Sequence, residues 1–120
     1  MADIHQIGKK GEAKALEHLV KQGYTILETN WQSNHQEVDI IARKDQLLVV
    51  VEVKARSTNY FGEPEASVNR QKQRMLIKAA NHYLVDAKLD LEVRFDIISV
   101  LFRREEFKLK HIEDAFYPLM

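Results

Sequence analysis

Cysteine is absent from this chain of 120 residues, which excludes a disulfide framework and any metal site built from thiolates. No stretch is long and apolar enough to predict a membrane-spanning helix. Neither charge is in excess, because 18 lysines and arginines balance 18 aspartates and glutamates. A protein that simply coats nucleic acid is normally basic, so the balance argues against non-specific binding over a whole surface. It still allows a local basic patch, for which the candidates are Arg43, Lys44, Lys54, Arg56, Arg70, Lys72 and Arg74.

Internal repeats, low-complexity tracts and an obvious linker are also missing. The length suits one domain with a hydrophobic core, so we expect a single domain over residues 1–120. The first six residues have neither a basic start nor an apolar segment, and they do not predict a signal peptide. A cytoplasmic protein is the resulting expectation.

Two adjoining runs of strand-forming residues stand out in the middle of the chain. The first covers Glu37–Ala42 and the second covers Leu47–Lys54. The polar segment between them is short enough for a hairpin turn. The sequence therefore predicts an antiparallel hairpin, and its register depends on the length of that turn.

A two-residue turn at positions 45 and 46 would place four charged side chains on one face of the hairpin. Asp39 would then lie opposite Glu52, and Glu37 would lie opposite Lys54. Two opposed carboxylates repel each other, and aspartate is a poor strand former, so this arrangement suggests a cation between Asp39 and Glu52. The other face would carry a core set, namely Val38, Ile40, Val49, Val51 and Val53.

Two alternatives remain open for the hairpin. One face of an antiparallel sheet is often solvated and charged, and Glu52 could simply pair with Lys54 or Arg56 there. An odd-numbered turn would put Asp39 and Glu52 on opposite faces and remove the reason for a cation.

The first helix is predicted from about Ile4 to Gln22, with Asp3 as its N-cap. Glu12 falls on its apolar stripe, close to Gly8 and Gly11. Glycine inside a helix costs about 1 kcal/mol relative to alanine, so close approach to the sheet or to a ligand explains it best. Glu12 is therefore a candidate third acid, unless it reaches water from the edge of the stripe. The stripe consists of Ile4, Ile7, Ala15, Leu16, Leu19 and Val20.

The second helix is predicted from about Val68 to Asp86, with Ser67 as its N-cap. Lys72 falls on its apolar stripe, where it could reach the surface or the same pocket as the acids. The strands are predicted at Tyr24–Trp31, Glu37–Ala42, Leu47–Lys54, Glu92–Phe102 and Phe107–Ile112. The coarse order is therefore αβββαββ, and the aromatic residues of the tail at 113–117 are expected to dock.

The histidines give no sign of a metal site, because no two of them stand at ligand spacing and no His-Glu-x-x-His pattern occurs. A glycine-rich phosphate loop is also missing. Arg94 and Asp96 share a face of their strand, where they are expected to pair. The five histidines are His5, His18, His35, His82 and His111.

Several motifs in chain order resemble the YraN-like family of uncharacterised bacterial proteins, within the PD-(D/E)xK nuclease superfamily. They are Gly8-Lys9-Lys10-Gly11-Glu12, Asn30-Trp31, Glu37-Val38-Asp39-Ile40-Ile41, Val51-Glu52-Val53-Lys54-Ala55-Arg56, Arg94-Phe95-Asp96 and Ala115-Phe116. The resemblance covers nearly the whole chain. One departure is Gln36, which stands where that family has glycine, and a glutamine there could narrow the pocket.

The resemblance implies an α/β fold of the restriction-endonuclease type, a three-layer α/β/α arrangement around a central mixed sheet. It implies a Mg²⁺- or Mn²⁺-dependent endonuclease that hydrolyses DNA phosphodiester bonds, with branched DNA as one candidate substrate and a homodimer as the expected assembly. Asp39 and Glu52 would hold the metal, and Lys54 and Glu12 would complete the catalytic set. Lys54, Arg56, Gln71 and Lys72 would contact nucleic acid.

Two further functions remain compatible with the sequence. The chain could be a non-catalytic nucleic-acid-binding module or adaptor with the same fold. It could also be a structural partner of another enzyme, with its acids on a solvated face. Turnover separates the nuclease from the binding module, and binding of a divalent cation separates it from the structural partner.

Overall fold

The computed structural model describes residues 4–57 and 68–117. Their elements follow the predicted order, and the α/β fold is confirmed. No helix in this part of the chain is long and apolar enough to cross a membrane. The elements are α1 (Ile4–Lys21), β1 (Thr25–Ser33), β2 (Gln36–Lys44), β3 (Leu47–Arg56), α2 (Arg70–Asp86), β4 (Glu92–Arg103) and β5 (Glu106–Phe116).

The five strands form one mixed sheet in chain order, β1-β2-β3-β4-β5. Neighbouring strands are antiparallel except for β3 and β4, which are parallel. A parallel pair needs a crossover connection, and the segment that contains α2 supplies it. The ends of β2 and β3 that lie away from their hairpin turn therefore share one end of the sheet with the end of β4.

The two helices cover opposite faces of the sheet and give the predicted three layers. Ala15 and Leu19 of α1 pack in a core with Ile40, Val49 and Val51. The core on the other face joins α2 to a different set of strand residues. Its buried members are Val38, Ile41, Leu48, Val50, Val68, Leu76, Ala79, Ala80, Tyr83, Phe95, Ile97 and Phe116. The middle of the sheet is therefore buried on both faces.

The hairpin is confirmed, and of the two turn lengths left open by the sequence it has the two-residue turn. Lys44 pairs with Leu47, and the ladder continues to the pair of Ile40 with Val51. The turn residue Asp45 has a φ of 54°, in the left-handed region that tight hairpin turns use. One more step of this register would bring Asp39 opposite Glu52, as the two-residue turn requires.

The prediction that Val38 shares a face with Ile40 is wrong. Val38 packs in the core beneath α2, whereas Ile40 packs beneath α1. The alternation of β2 is therefore broken around Asp39. On the neighbouring strand, Asn30 adopts a φ of 50° between the pairs Thr29–Ile40 and Trp31–Val38, so both strands are irregular at this point.

Several predicted boundaries shift by a few residues. Helix α2 begins at Arg70, and its N-cap is Asn69, whose side chain accepts a hydrogen bond of 2.9 Å from the amide of Lys72. The predicted caps Asp3 and Ser67 lie outside the described residues. Strand β5 continues to Phe116, which stacks on Phe95 with ring centroids 5.0 Å apart.

The stripe predicted for α1 is correct at Ala15 and Leu19, which are fully buried, and wrong at Val20, which is 59% exposed. Val20 follows Leu19 by one residue, about 100° around the helix, and this turns its side chain away from the sheet. Gly11 lies on the buried side, where α1 comes close to β3.

Replacing Gly11 with alanine is expected to destabilise the protein by about 1–3 kcal/mol. A Cβ at Gly11 would lie 2.4 Å from the Cβ of Ala55, so the helix and the strand would have to separate. Gly8 is a matched control on the same helix, because a Cβ there meets nothing within 4 Å. Gly8→Ala should gain up to about 1 kcal/mol from helix propensity alone. Urea denaturation measures both variants, and equal gains in stability would contradict the close approach at Gly11.

Candidate metal and nucleic-acid site

A cavity of about 730 Å³ opens where α1 approaches the far ends of β2 and β3. Four predicted site residues, Glu12, Asp39, Lys54 and Arg56, line it together. They come from one helix and two strands, so the fold brings together side chains that are far apart in sequence. The remaining lining residues are Ile7, Gly8, Lys9, Asn30, Glu37, Val53, Ala55 and Ser57.

Asp39 lies at the break in the alternation of β2. One of its carboxylate oxygens accepts a hydrogen bond of 2.8 Å from the backbone amide of Val53. A side-chain oxygen, in place of a backbone carbonyl, thus accepts the hydrogen bond of a strand amide. This bond lies just beyond the last ladder pair of Ile40 with Val51. This bond fixes Asp39 between β2 and β3, at the inner wall of the cavity.

Glu52 lies beside Asp39 but beneath α2, and it is only 4% exposed. The alternative of a solvated charged face is therefore wrong here, because α2 covers the acid. The partner that the structure shows for Glu52 is a different residue from the suggested Lys54 and Arg56. The Oε2 atom of Glu52 lies 3.1 Å from Nζ of Lys72. The same oxygen makes no hydrogen bond to any residue that the structure describes.

The carboxyl groups of Asp39 and Glu52 lie within hydrogen-bonding reach of each other. Burial first, and then the contact with Glu52, raise the pKa of Asp39 against the opposing Val53 amide, to about 8 in total. The negative charge of Glu12 contributes in the same direction as Glu52. Without a bound cation, Asp39 therefore retains a proton near neutral pH, as expected for an acid that is largely removed from water beside a second acid.

Glu12 enters the cavity from α1, where it accepts a hydrogen bond of 2.8 Å from the side chain of Asn30. Burial raises the pKa of Glu12, the Asn30 bond lowers it, and the charge of Glu37 raises it again. Asn30 is a functional candidate that we did not single out from the sequence. Its place in the Asn-Trp motif is the signal that could have found it.

The basic and amide residues predicted to contact nucleic acid do not all lie in the same cavity. Lys54 and Arg56 are half-buried in the cavity wall, while Gln71 is exposed on α2 and does not line the cavity. Gln36 lines a separate cavity of about 210 Å³ together with Lys72. Gln36 is therefore not among the residues that line the larger cavity.

The described residues include no group of three or more histidines, aspartates and glutamates that could hold a metal ion. Two carboxylates, Asp39 and Glu52, are what the structure offers. Magnesium is often bound in proteins through one or two carboxylates while keeping several waters. The buried carboxylate of Glu52, next to Asp39, is compatible with such a ligand.

A second polar cluster lies at the other end of α1 and was only partly predicted. Asp96 is 1% exposed and accepts two hydrogen bonds of 2.9 Å from Arg94, so the predicted pair is confirmed. His111 contacts Asp96 at 2.7 Å and His18 at 2.9 Å. Burial raises the pKa of Asp96, but the bonds from His111, Arg94 and the Asp114 amide outweigh it and hold that pKa below its usual range.

The chain matches known proteins over nearly its whole length. The model of the uncharacterised protein family UPF0102 matches residues 11–100. A UPF0102 protein of Flavobacterium psychrophilum is 52% identical over 117 residues, covering 98% of each chain. Relatives from Flavobacterium johnsoniae and Christiangramia forsetii are 47% and 45% identical, again over 98% of each chain. The predicted family resemblance is thereby confirmed, and the chain belongs to the UPF0102 family.

Proposed function

We propose that this protein is a metal-dependent endonuclease that hydrolyses DNA phosphodiester bonds in the cavity between α1 and the β2–β3 hairpin. The observation that carries the proposal is the contact between Asp39 and the buried carboxylate of Glu52, beside the cavity that Glu12 and Lys54 line. Opposed buried acids destabilise a fold, and a bound cation relieves that cost. The order of motifs shared with the PD-(D/E)xK superfamily supports the same chemistry.

Asp39 and Glu52 would hold Mg²⁺ or Mn²⁺, because hard cations prefer carboxylate oxygens. When bound, such an ion polarises a phosphate and lowers the pKa of a water. The Val53 amide keeps Asp39 oriented, through its bond of 2.8 Å. Packing beneath α2 restricts Glu52, so both ligands are positioned before an ion arrives.

Lys54 lines the cavity two residues beyond Glu52. Its ammonium group would stabilise the negative charge that develops on the phosphate, which is the largest contribution of such groups to catalysis. Glu12 lies across the cavity with Asn30 as its hydrogen-bond donor. This pair would orient a water or a ligand at the outer side of the site.

The DNA backbone would be bound by the cationic residues of the cavity, Lys9, Lys54 and Arg56. This local patch explains how a chain with balanced charge can bind a polyanion, and binding should weaken as salt concentration rises. Branched DNA is one candidate substrate that the superfamily resemblance suggests. Cutting both strands of such a substrate symmetrically would require a homodimer.

Cleavage of a panel of labelled DNAs tests the proposal. Duplex, single-stranded, flap and four-way-junction DNA are incubated with the protein in Mg²⁺, in Mn²⁺ and in chelator. We expect the parent to cut at least one substrate in metal only, and Asp39→Asn and Glu52→Gln to lose the cleavage. Asp45→Asn is a matched control, because it removes an exposed carboxylate from the turn of the same hairpin.

Two results would contradict the proposal. Cleavage that persists in chelator, or in both acid variants, would place the chemistry elsewhere. Binding of DNA without cleavage of any substrate in the panel would favour the non-catalytic binding module.

A further inference from the structure

The ion pair between Lys72 and Glu52 joins a partly exposed side chain to a buried one. Nζ of Lys72 lies 3.1 Å from Oε2 of Glu52, and the side chains are 38% and 4% exposed, respectively. Glu52 is fixed in the sheet and enclosed, whereas Lys72 approaches from the first turn of α2 with more than a third of its side chain in solvent. Only the lysine can leave without opening the core.

The carboxylate is held by charge more than by a well-directed hydrogen bond. Its Oε2 lies 3.1 Å from the ammonium group, but outside the geometry of a hydrogen bond to any described residue. Lys72 supplies one positive charge to a place where two acids, Asp39 and Glu52, are in contact. A divalent ion between the two acids could bind both carboxylates, whereas the ion pair of Lys72 is with Glu52.

The side chain of Lys72 also has open space beside it. Its side chain lines the separate cavity of about 210 Å³, next to Glu37 and His35, both of which are exposed. Its backbone stays in place, because the amide is held by Asn69 at 2.9 Å. The long side chain can therefore move from Glu52 toward this open side while α2 keeps its position.

We propose that Lys72 is the internal counter-ion of the metal-free site, and that a divalent cation binding at Asp39 and Glu52 displaces it from Glu52. The inference rests on the proposed metal site and deepens it. Lys72 stabilises the protein when no metal is bound and weakens its affinity for metal, because the two cations compete for one carboxylate. A singly charged ion gains little by replacing an ammonium group of equal charge, so the site selects divalent ions.

Calorimetric titration with Mn²⁺ tests this competition in the full chain. Lys72→Met should bind Mn²⁺ about tenfold more tightly than the parent, which corresponds to about 1.4 kcal/mol. The melting temperature of its metal-free form should fall by about 5 °C, because Glu52 loses its partner, and saturating Mn²⁺ should restore most of the loss. Lys78→Met is the matched control, because it removes the same charge from an exposed position on α2 and should bind Mn²⁺ as the parent does.

The outcomes separate this inference from the proposed function. If Glu52→Gln abolishes Mn²⁺ binding but Lys72→Met binds as tightly as the parent, or more weakly, the competition is wrong and the metal site stands. If neither the parent nor Lys72→Met binds Mn²⁺, the proposed metal site itself is wrong, and the inference falls with it.

Discussion

Replacing Asp96 with alanine is expected to destabilise the protein by about 3–5 kcal/mol, the usual cost of removing one partner of a buried ion pair. Asp96 is 1% exposed, and its carboxylate holds the guanidinium of Arg94, the ring of His111 and the amide of Asp114. Without the carboxylate, Arg94 would keep a half-buried charge that has lost its best acceptor. Urea denaturation followed by tryptophan fluorescence measures the loss.

Glu113 provides the control for this variant. Its carboxylate lies 3.6 Å from the same guanidinium, but its side chain is 58% exposed. Glu113→Ala should therefore cost less than about 1 kcal/mol, as exposed ion pairs do. If Asp96→Ala were no more harmful than Glu113→Ala, the buried cluster would not hold this end of the sheet together.

Local sequence patterns were enough to predict the elements and the hairpin. The short polar segment left the turn length open, and the pair Lys44–Leu47 shows that the turn has two residues. The helical spacing of Glu12 likewise predicted the side of α1 from which it enters the cavity. These features depend on residues close together in the chain, so periodicity and turn chemistry determine them.

The environment of Glu52 could not be predicted in this way. Whether a strand face is solvated depends on what packs against it, and α2 begins 18 residues after Glu52. The lysine that pairs with Glu52 is consequently Lys72, whereas the sequence suggested the nearby Lys54 or Arg56. The break at Asp39 was missed for a related reason, because regular alternation assumes a regular neighbouring strand, and Asn30 is irregular.

The cluster around Asp96 shows the same limit more strongly. Arg94 is two residues away, so their pairing could be predicted from strand alternation alone. His18 and His111 are 93 residues apart in sequence, yet their ring nitrogens lie 2.9 Å apart. Spacing along the chain cannot reveal a pair that forms only when α1 and β5 come together in the fold. The wide spacing of the histidines in the sequence therefore did not tell which of them lie side by side.

Replacing Lys54 with alanine is expected to lower the rate of DNA cleavage by about 100- to 1,000-fold, the typical loss when one group that stabilises transition-state charge is removed. Binding of DNA and metal should largely remain, because Asp39 and Glu52 hold the ion and other cations contact the backbone. A group that acts mainly as charge develops affects turnover more than ground-state binding. If Lys54 were only a surface partner of Glu37, its loss would cost at most about 1 kcal/mol of stability and no activity.

Single-turnover cleavage of the best substrate in the panel, at saturating DNA and Mn²⁺, tests the central claim most directly. The parent is compared with Lys54→Ala and with Lys10→Ala, which removes the same charge from an exposed position on α1 that does not line the cavity. The nuclease account predicts rapid cleavage by the parent, a rate close to the parent's for Lys10→Ala and a rate at least about 100-fold lower for Lys54→Ala. Equal rates for the parent and Lys54→Ala would contradict it.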